Sequence, residues 1–304
     1  MHAQNWKLGI ALSLTTALMW GLLPLALLPI IGAVDYVTIT FYRLGGGGCL
    51  LFLWIFLSRR HKIKANFSRK NLPLILIAVL GFSGNYYFWL VGLETTSAAT
   101  AQVMIQLAPM LLLVGSIWLF KENFNQRQMI GVSIFVVGLI LFFNKKLLVL
   151  FNQLDSYSLG VIYLLVAAIT WAIFGLIQKH LLRDFGALEL IFTIVMLSCL
   201  LFLPFSSPEQ ALQLNGLELA FLIFGGLNTA VAYGCFTAAI NYWETPRVSA
   251  VIAIVPVLTL LFGYIQQLFF PEILAPEPIN QLSILGAIVV VVGSSIAALA
   301  KQKS

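Results

Sequence analysis

Apolar residues gather in ten blocks along the chain, at about 8–30, 36–57, 72–92, 97–120, 127–143, 157–180, 187–206, 217–240, 247–270 and 282–300, with short polar connections between them. A helix needs roughly 20 apolar residues to cross a bilayer. The blocks approach or reach that length, are apolar on every face and show no strict period-2 alternation. They therefore predict membrane-spanning helices and not barrel strands. The first block follows only Lys7, holds Trp20, Pro24 and Pro29, and ends in no small-residue cleavage pattern. It is expected to be a span and not a removable signal.

Composition turns this reading into an exclusion. Of 304 residues, 61% are apolar and 9% charged, with a mean hydropathy of +0.99. A soluble domain is about 45–50% apolar and about 25% charged, so a soluble enzyme is excluded. Charge position then gives orientation. With the N-terminus in the cytoplasm, fourteen of the 17 Lys and Arg residues share that side. They are Lys7, the cluster Arg59, Arg60, Lys62, Lys64, Arg69 and Lys70, then Lys121, Arg127, Lys179, Arg183, Arg247, Lys301 and Lys303. Lys145 and Lys146 fall opposite, and Arg43 lies within a span. The positive-inside rule then predicts a multi-pass protein of the cytoplasmic (inner) membrane with both termini cytoplasmic.

The formal net charge of +6 invites a nucleic-acid partner. The 59–70 cluster, however, occupies one short membrane-proximal loop with Phe67 as its one aromatic residue. It is read as a topology determinant beside the lipid bilayer, with no nucleic acid expected. Cys49, Cys199 and Cys235 lie in apolar stretches with no CxxC and no Cys/His spacing. They predict small packing residues, with no disulfide framework, no metal and no cofactor. Monomer and dimer are both compatible with these patterns.

The two halves of the chain resemble each other. Ala17-Leu-Met-Trp20 matches Ala168-Ile-Thr-Trp171 at an offset of 151 residues. Tyr86 matches Tyr233 and Pro109 matches Pro256 at 147, and Gly131 and Gly138 match Gly286 and Gly293 at 155. A repeat of five spans places its second copy upside down relative to the first. The predicted fold is therefore an all-α membrane protein of ten transmembrane helices, built as two inverted-topology five-helix repeats over 1–146 and 147–304. In transporters this arrangement places the substrate near the midplane between the halves.

Several short motifs carry a family likeness: Trp20-Gly21 in the first span, Phe41-Tyr-Arg43 in the second, and Leu107-Ala-Pro109 in the fourth. Phe120-Lys-Glu122 with Gly131 and Gly138 around the fifth, and Val255-Pro256 in the ninth, extend it. Over about 8 to 300 the chain resembles the EamA-type branch of the drug/metabolite transporter superfamily. The resemblance implies a ten-helix fold and a central cavity lined mainly by helices 1, 3, 4, 6, 8 and 9. It also implies a cargo of small metabolites, amino acids or drugs, often moved outward. Pro271-Glu272 departs from the pattern, standing where the first half has Lys121-Glu122.

Polar groups inside a bilayer are costly and usually face the protein interior or a water-filled cavity. Ser13, Thr16, Trp20 and Pro24 share one stripe of the first helix, and Trp20 and Trp171 fall near mid-membrane, unlike interfacial tryptophans. Two such indoles can stack against an apolar or aromatic substrate, or pack as core. Asn85, Tyr86 and Trp89 in the third span, Gln102 and Gln106 in the fourth, and Asn228 and Tyr233 in the eighth complete the candidate substrate-binding set. Their amides serve either a zwitterionic cargo or helix–helix contacts. Arg43 is read as gating or structural, either paired with Asp35, Glu94 or helix-end carbonyls or snorkelling outward. Its alternative role is to bind a carboxylate or phosphate of the substrate. Pro109 and Pro256 are expected to kink the fourth and ninth spans. No Asp or Glu falls at mid-span, which favours gradient-driven passage or coupling through Glu94.

The function expected is thus a transporter of amino-acid-like or aromatic and amphipathic metabolites working by alternating access, as an exporter or facilitator, and not an enzyme. The alternative is a membrane-embedded enzyme acting on a lipid or peptide, although the spans hold no Ser/His pair, paired Asp or His/Glu cluster. A channel filter and the soluble face of a receptor are also missing from the pattern.

Overall fold

Helix breaks and short turns set the architecture. The structure, a computed structural model, describes residues 5–57, 67–120, 125–146, 155–277 and 279–300. Arg59, Arg60, Lys62, Lys64, Lys121, Glu122, Lys301 and Lys303, together with most of the join between the proposed repeats, lie outside them. The helices are α1 Trp6–Leu27, α2 Tyr36–Leu57, α3 Asn71–Thr95, α4 Ala98–Ile105, α5 Leu107–Phe120 and α6 Gln126–Phe142, then α7 Ser156–Leu181, α8 Ala187–Phe202, α9 Gly216–Tyr242, α10 Thr245–Ile252, α11 Val255–Phe269 and α12 Gln281–Leu299. Between α1 and α2 the chain reverses through Gly32, whose φ of 97° is open to glycine at no steric cost.

Nine spans among the described residues are long and apolar enough to cross a membrane, and α6 is a shorter apolar helix of 17 residues. Of the ten transmembrane helices expected, nine are long enough to cross, and the fifth, α6, is shorter. The reason is local: an Asn125–Gln128 capping box starts α6, and the chain turns off at Phe143. Two spans are each made of two helices, α4–α5 and α10–α11. Their breaks fall at Gln106 and at Ala253-Ile254, just before Pro109 and Pro256. Proline has no N–H to donate and its ring crowds the carbonyl four residues back.

The main helix pairings are kept when each helix is exchanged for its counterpart in the other half. α3 lies along α7 and α1 along α9; α7 meets both pieces of the first broken span and α1 both pieces of the second. α2 lies against α8, and α6 against α12. The exchange reaches individual atoms. Thr16 Oγ1 donates to the Ala232 carbonyl at 3.2 Å, and at the corresponding place Asn85 Nδ2 donates to the Ala167 carbonyl at 3.0 Å. Where Gly81 lets α3 close on the Thr170 carbonyl of α7, Asn228 of α9 instead donates to the Met19 carbonyl of α1.

The α6–α12 contact is a glycine seam. A Cβ at Gly131 would lie 2.5 Å from the Ala297 nitrogen, and one at Gly138 2.5 Å from the Val290 nitrogen. The two helices run antiparallel and are tied at one end, where Ser283 Oγ donates to the Phe142 carbonyl at 2.8 Å and Asn144 Nδ2 donates to Ser283 Oγ at 3.1 Å. Around the whole bundle, large apolar side chains such as Trp54, Phe56, Trp118, Leu200 and Phe269 are exposed. Apolar area spread over most of the helices is a surface for hydrocarbon, not water. Cys49 belongs to that exposed face and not to the packing role expected of it, whereas Cys199 is buried.

Candidate substrate centre

Pro24 explains the first part of the centre. Lacking an N–H, it leaves the Trp20 carbonyl, four residues back, without its helical partner. Gln102 Nε2 from α4 donates to that carbonyl at 2.7 Å. The two neighbouring carbonyls of α1 also attract side chains from other helices: Asn228 of α9 donates to Met19, and Thr259 Oγ1 of α11 donates to Gly21 at 2.8 Å. Three consecutive carbonyls of α1 thus bind three helices. The break in the second span is met in the same way. Val257 N donates to the Ile254 carbonyl and not to Ala253, and the freed Ala253 carbonyl accepts Gln106 Nε2 at 3.0 Å. One helix break therefore binds the other.

Gln102→Leu is expected to lower unfolding free energy by about 1–3 kcal/mol, the cost of an unsatisfied buried polar group. In a Pro24→Ala background residue 24 regains an N–H for the Trp20 carbonyl, and the same substitution should cost clearly less. Equal costs in both backgrounds, measured by denaturant titration in micelles, would refute this role for Gln102.

An aromatic cluster sits beside these carbonyls. Trp20 meets Tyr233 edge-on with centroids 5.6 Å apart, and Phe236 lies at 6.1 Å. Phe82 joins Tyr86, Phe174 and Tyr233 at 4.7, 5.0 and 5.8 Å, and Trp171 reaches Phe174 at 6.3 Å. The Tyr233 hydroxyl has the Trp171 and Tyr86 side chains as hydrogen-bond partners. Both indoles therefore converge on one tyrosine, Tyr233, instead of each meeting its own.

The structure brings Trp20, Arg43, Tyr86, Trp89, Trp171 and Tyr233 into one cluster, and commits Asn85, Gln102, Gln106 and Asn228 to backbone carbonyls of other helices. Pro109 and Pro256 stand just beyond the two linked breaks. Sequence reasoning missed Thr259, Phe82 and Phe236. The signal was present in spacing: Phe82 is one turn before Tyr86, Phe236 one turn after Tyr233, and Thr259 one turn after Pro256.

The pairing expected for Arg43 is corrected. Asp35 is occupied in capping α2 through Thr38, and Glu94 accepts from the Tyr36 hydroxyl. Arg43 instead lies across the faces of Tyr86 and Trp89, 4.5 and 5.9 Å from their centroids. Gly225 gives its stem room, since a Cβ there would lie 3.0 Å from Arg43 Cγ.

One end of the bundle is closed across the two halves. Asp35 N donates to Gln210 Oε1 at 2.9 Å, and the Tyr42 hydroxyl donates to the Pro208 carbonyl at 2.8 Å. A cleft of about 270 Å³ beneath these loops is lined by residues that include Ala33, Asp35, Tyr36, Glu94 and Gln210. At the same end Glu277, from the connection between α11 and α12, accepts the Ala99 N–H at the start of α4 and touches the Ser97 side chain. Burial pushes the Glu277 carboxyl up, against the downward pull of those donors. Among the described residues no group of three or more His, Cys, Asp or Glu could hold a metal.

Comparison with known proteins adds a family. The EamA-like transporter family matches the chain twice, over residues 7–144 and 158–299. The chain is 34% identical over 297 residues to the uncharacterized inner membrane transporter YhbE of Escherichia coli (strain K12), covering 97% of this chain and 92% of that one. It is 32% identical over 297 residues to an uncharacterized transporter of Haemophilus influenzae, covering 97% and 96%. A solved crystal structure shares the fold over 96% of this chain and 95% of its own, with a TM-score of 0.65 at 17% identity.

Proposed function

The chain belongs to the EamA-like transporter family, and from that premise we propose that it carries small organic metabolites across the cytoplasmic membrane by alternating access. The cargo is amino-acid-like or aromatic and amphipathic, the protein works as an exporter or facilitator, and both termini are cytoplasmic. The two inverted five-helix repeats, 1–146 and 147–304, are its moving parts. The observation that carries this reading is the bond from Gln106 to the Ala253 carbonyl, which joins the two broken spans at their breaks. A helix already interrupted can change its bend without first losing a regular hydrogen bond. Two such hinges in contact give one centre that either half can uncover.

In the conformation seen, Tyr86, Trp89, Gln102, Gln106, Asn228 and Tyr233 are each buried, which supports a closed centre. Glu277 on the start of α4 supports a gate at one end. The names of the Escherichia coli relatives, inner membrane transporters, support the location.

The test compares metabolites of medium and cytoplasm, by untargeted mass spectrometry, in cells making wild type or Trp20→Ala with Trp171→Ala at equal membrane levels. A compound that redistributes with wild type, and at least about tenfold more slowly with the double variant, is the expected result; about 1.4 kcal/mol at the barrier is enough for that factor. New products without redistribution would overturn the transport reading in favour of an enzyme.

A further inference from the structure

A buried cation with free donors marks a second feature of the centre. Arg43 is 4% exposed. Its Nε and Nη1 are buried and have no hydrogen-bond partner in the protein. Its nearest recorded neighbours are rings: Tyr86 and Trp89 lie against the guanidinium, with Tyr233 and Trp20 adjoining Tyr86 through Phe82 and each other. Ring faces attract a cation but accept no strong in-plane hydrogen bond, so they leave Nε and Nη1 unsatisfied. A buried charge without a hydrogen-bonded counterion is strongly disfavoured. Such a group is retained inside a membrane protein where a charged ligand completes it.

We propose that Arg43 is the anchor for the carboxylate of an aromatic monocarboxylate, whose ring takes a place among Tyr86, Trp89, Trp20 and Tyr233. This rests on the transport reading and names its substrate class. A planar guanidinium matches a carboxylate in shape and charge. One positive charge balances a monocarboxylate and leaves a phosphate dianion half uncompensated, and Arg43 is the one Lys or Arg deep within a described span. In the conformation seen, Tyr86 and Trp89 hold the guanidinium in place of the ligand. The carboxylate would displace neither ring, adding a hydrogen bond at one of the unpartnered donors, Nε or Nη1, as the centre opens.

The test uses purified full-length protein in phosphatidylcholine nanodiscs, which supply no anionic lipid. Thermal unfolding is followed with phenylacetate, indole-3-acetate, neutral phenylacetamide, inorganic phosphate and chloride, for wild type, Arg43→Met and Arg43→Lys. At least one of the two carboxylates should raise the wild-type midpoint, while phenylacetamide, phosphate and chloride do not, since a ligand stabilises only the state it binds. Arg43→Met should weaken that carboxylate by about tenfold or more, and Arg43→Lys by less. Without ligand, Arg43→Met should unfold at a higher temperature than wild type, whereas a merely structural arginine would leave a less stable protein when removed. Equal stabilisation by phenylacetamide or phosphate, undiminished carboxylate binding by Arg43→Met, or no response to either carboxylate would overturn the proposal. If metabolites still redistribute in cells after that result, transport stands and only the carboxylate anchor falls.

Discussion

Gly131→Leu should leave little folded protein in the membrane. At this position the α6–α12 seam has no give: a Cβ would lie 2.5 Å from the Ala297 nitrogen, 2.8 Å from the Gly293 carbonyl oxygen and 2.9 Å from the Ala297 Cα. All three are backbone atoms, so no rotamer change relieves the clash and the helices must separate. Separation would also pull on the hydrogen bonds from Ser283 to Phe142 and from Asn144 to Ser283. The expected loss is about 3 kcal/mol or more. Without a hydrophobic drive between helices in lipid, close van der Waals contact of this kind is what holds a helix pair. Gly234→Ala, where no atom lies within 4 Å of the added Cβ, should instead gain about 0.5–1 kcal/mol from the lost chain entropy of glycine. Size-exclusion profiles of the solubilised variants, with thermal unfolding midpoints, separate the two outcomes. A Gly131→Leu protein as monodisperse and stable as wild type would refute the seam.

Much of the fold was open to reading before any coordinates, because a bilayer asks for one simple thing from each span, length without charge. The block at 36–57 became the helix Tyr36–Leu57 with the same bounds. The block at 127–143 became the helix Gln126–Phe142, of the same 17-residue length and shifted by one residue, as the Asn125–Gln128 cap sets its start. The block at 97–120 contains two helices, α4 and α5, that hydropathy cannot divide. The centre was legible in its residue types and not in its bonds. That Gln102 and Asn228 are polar inside spans is plain from the sequence; that they bind Trp20 and Met19 carbonyls requires the packing of α4 and α9 on α1. Pro24 held the missing hint, for it frees the very carbonyl that Gln102 takes. Arg43 invited a carboxylate partner along the chain, but Asp35 was already engaged with Thr38 and Glu94 with Tyr36. Charge alone ranks partners by sign; only geometry shows which of them is already bonded.

The two paired halves nevertheless differ at the centre. α1 gathers side chains at three successive carbonyls, whereas α7 receives Asn85 at Ala167 and a close approach of Gly81 at Thr170. The architecture is shared and the chemistry is not.

If cargo passes by alternating access, the two halves must move apart at the Glu277 end. Ser97 and Glu277 side chains touch there, one at the start of α4 and the other on the connection into α12. The most direct measurement is transport by Ser97→Cys with Glu277→Cys, in a background with Cys49, Cys199 and Cys235 replaced by serine or alanine, before and after oxidation. The oxidised, cross-linked protein should stop redistributing its metabolite, and a reductant should restore it. Unchanged transport with the cross-link demonstrably formed would contradict alternating access through this gate.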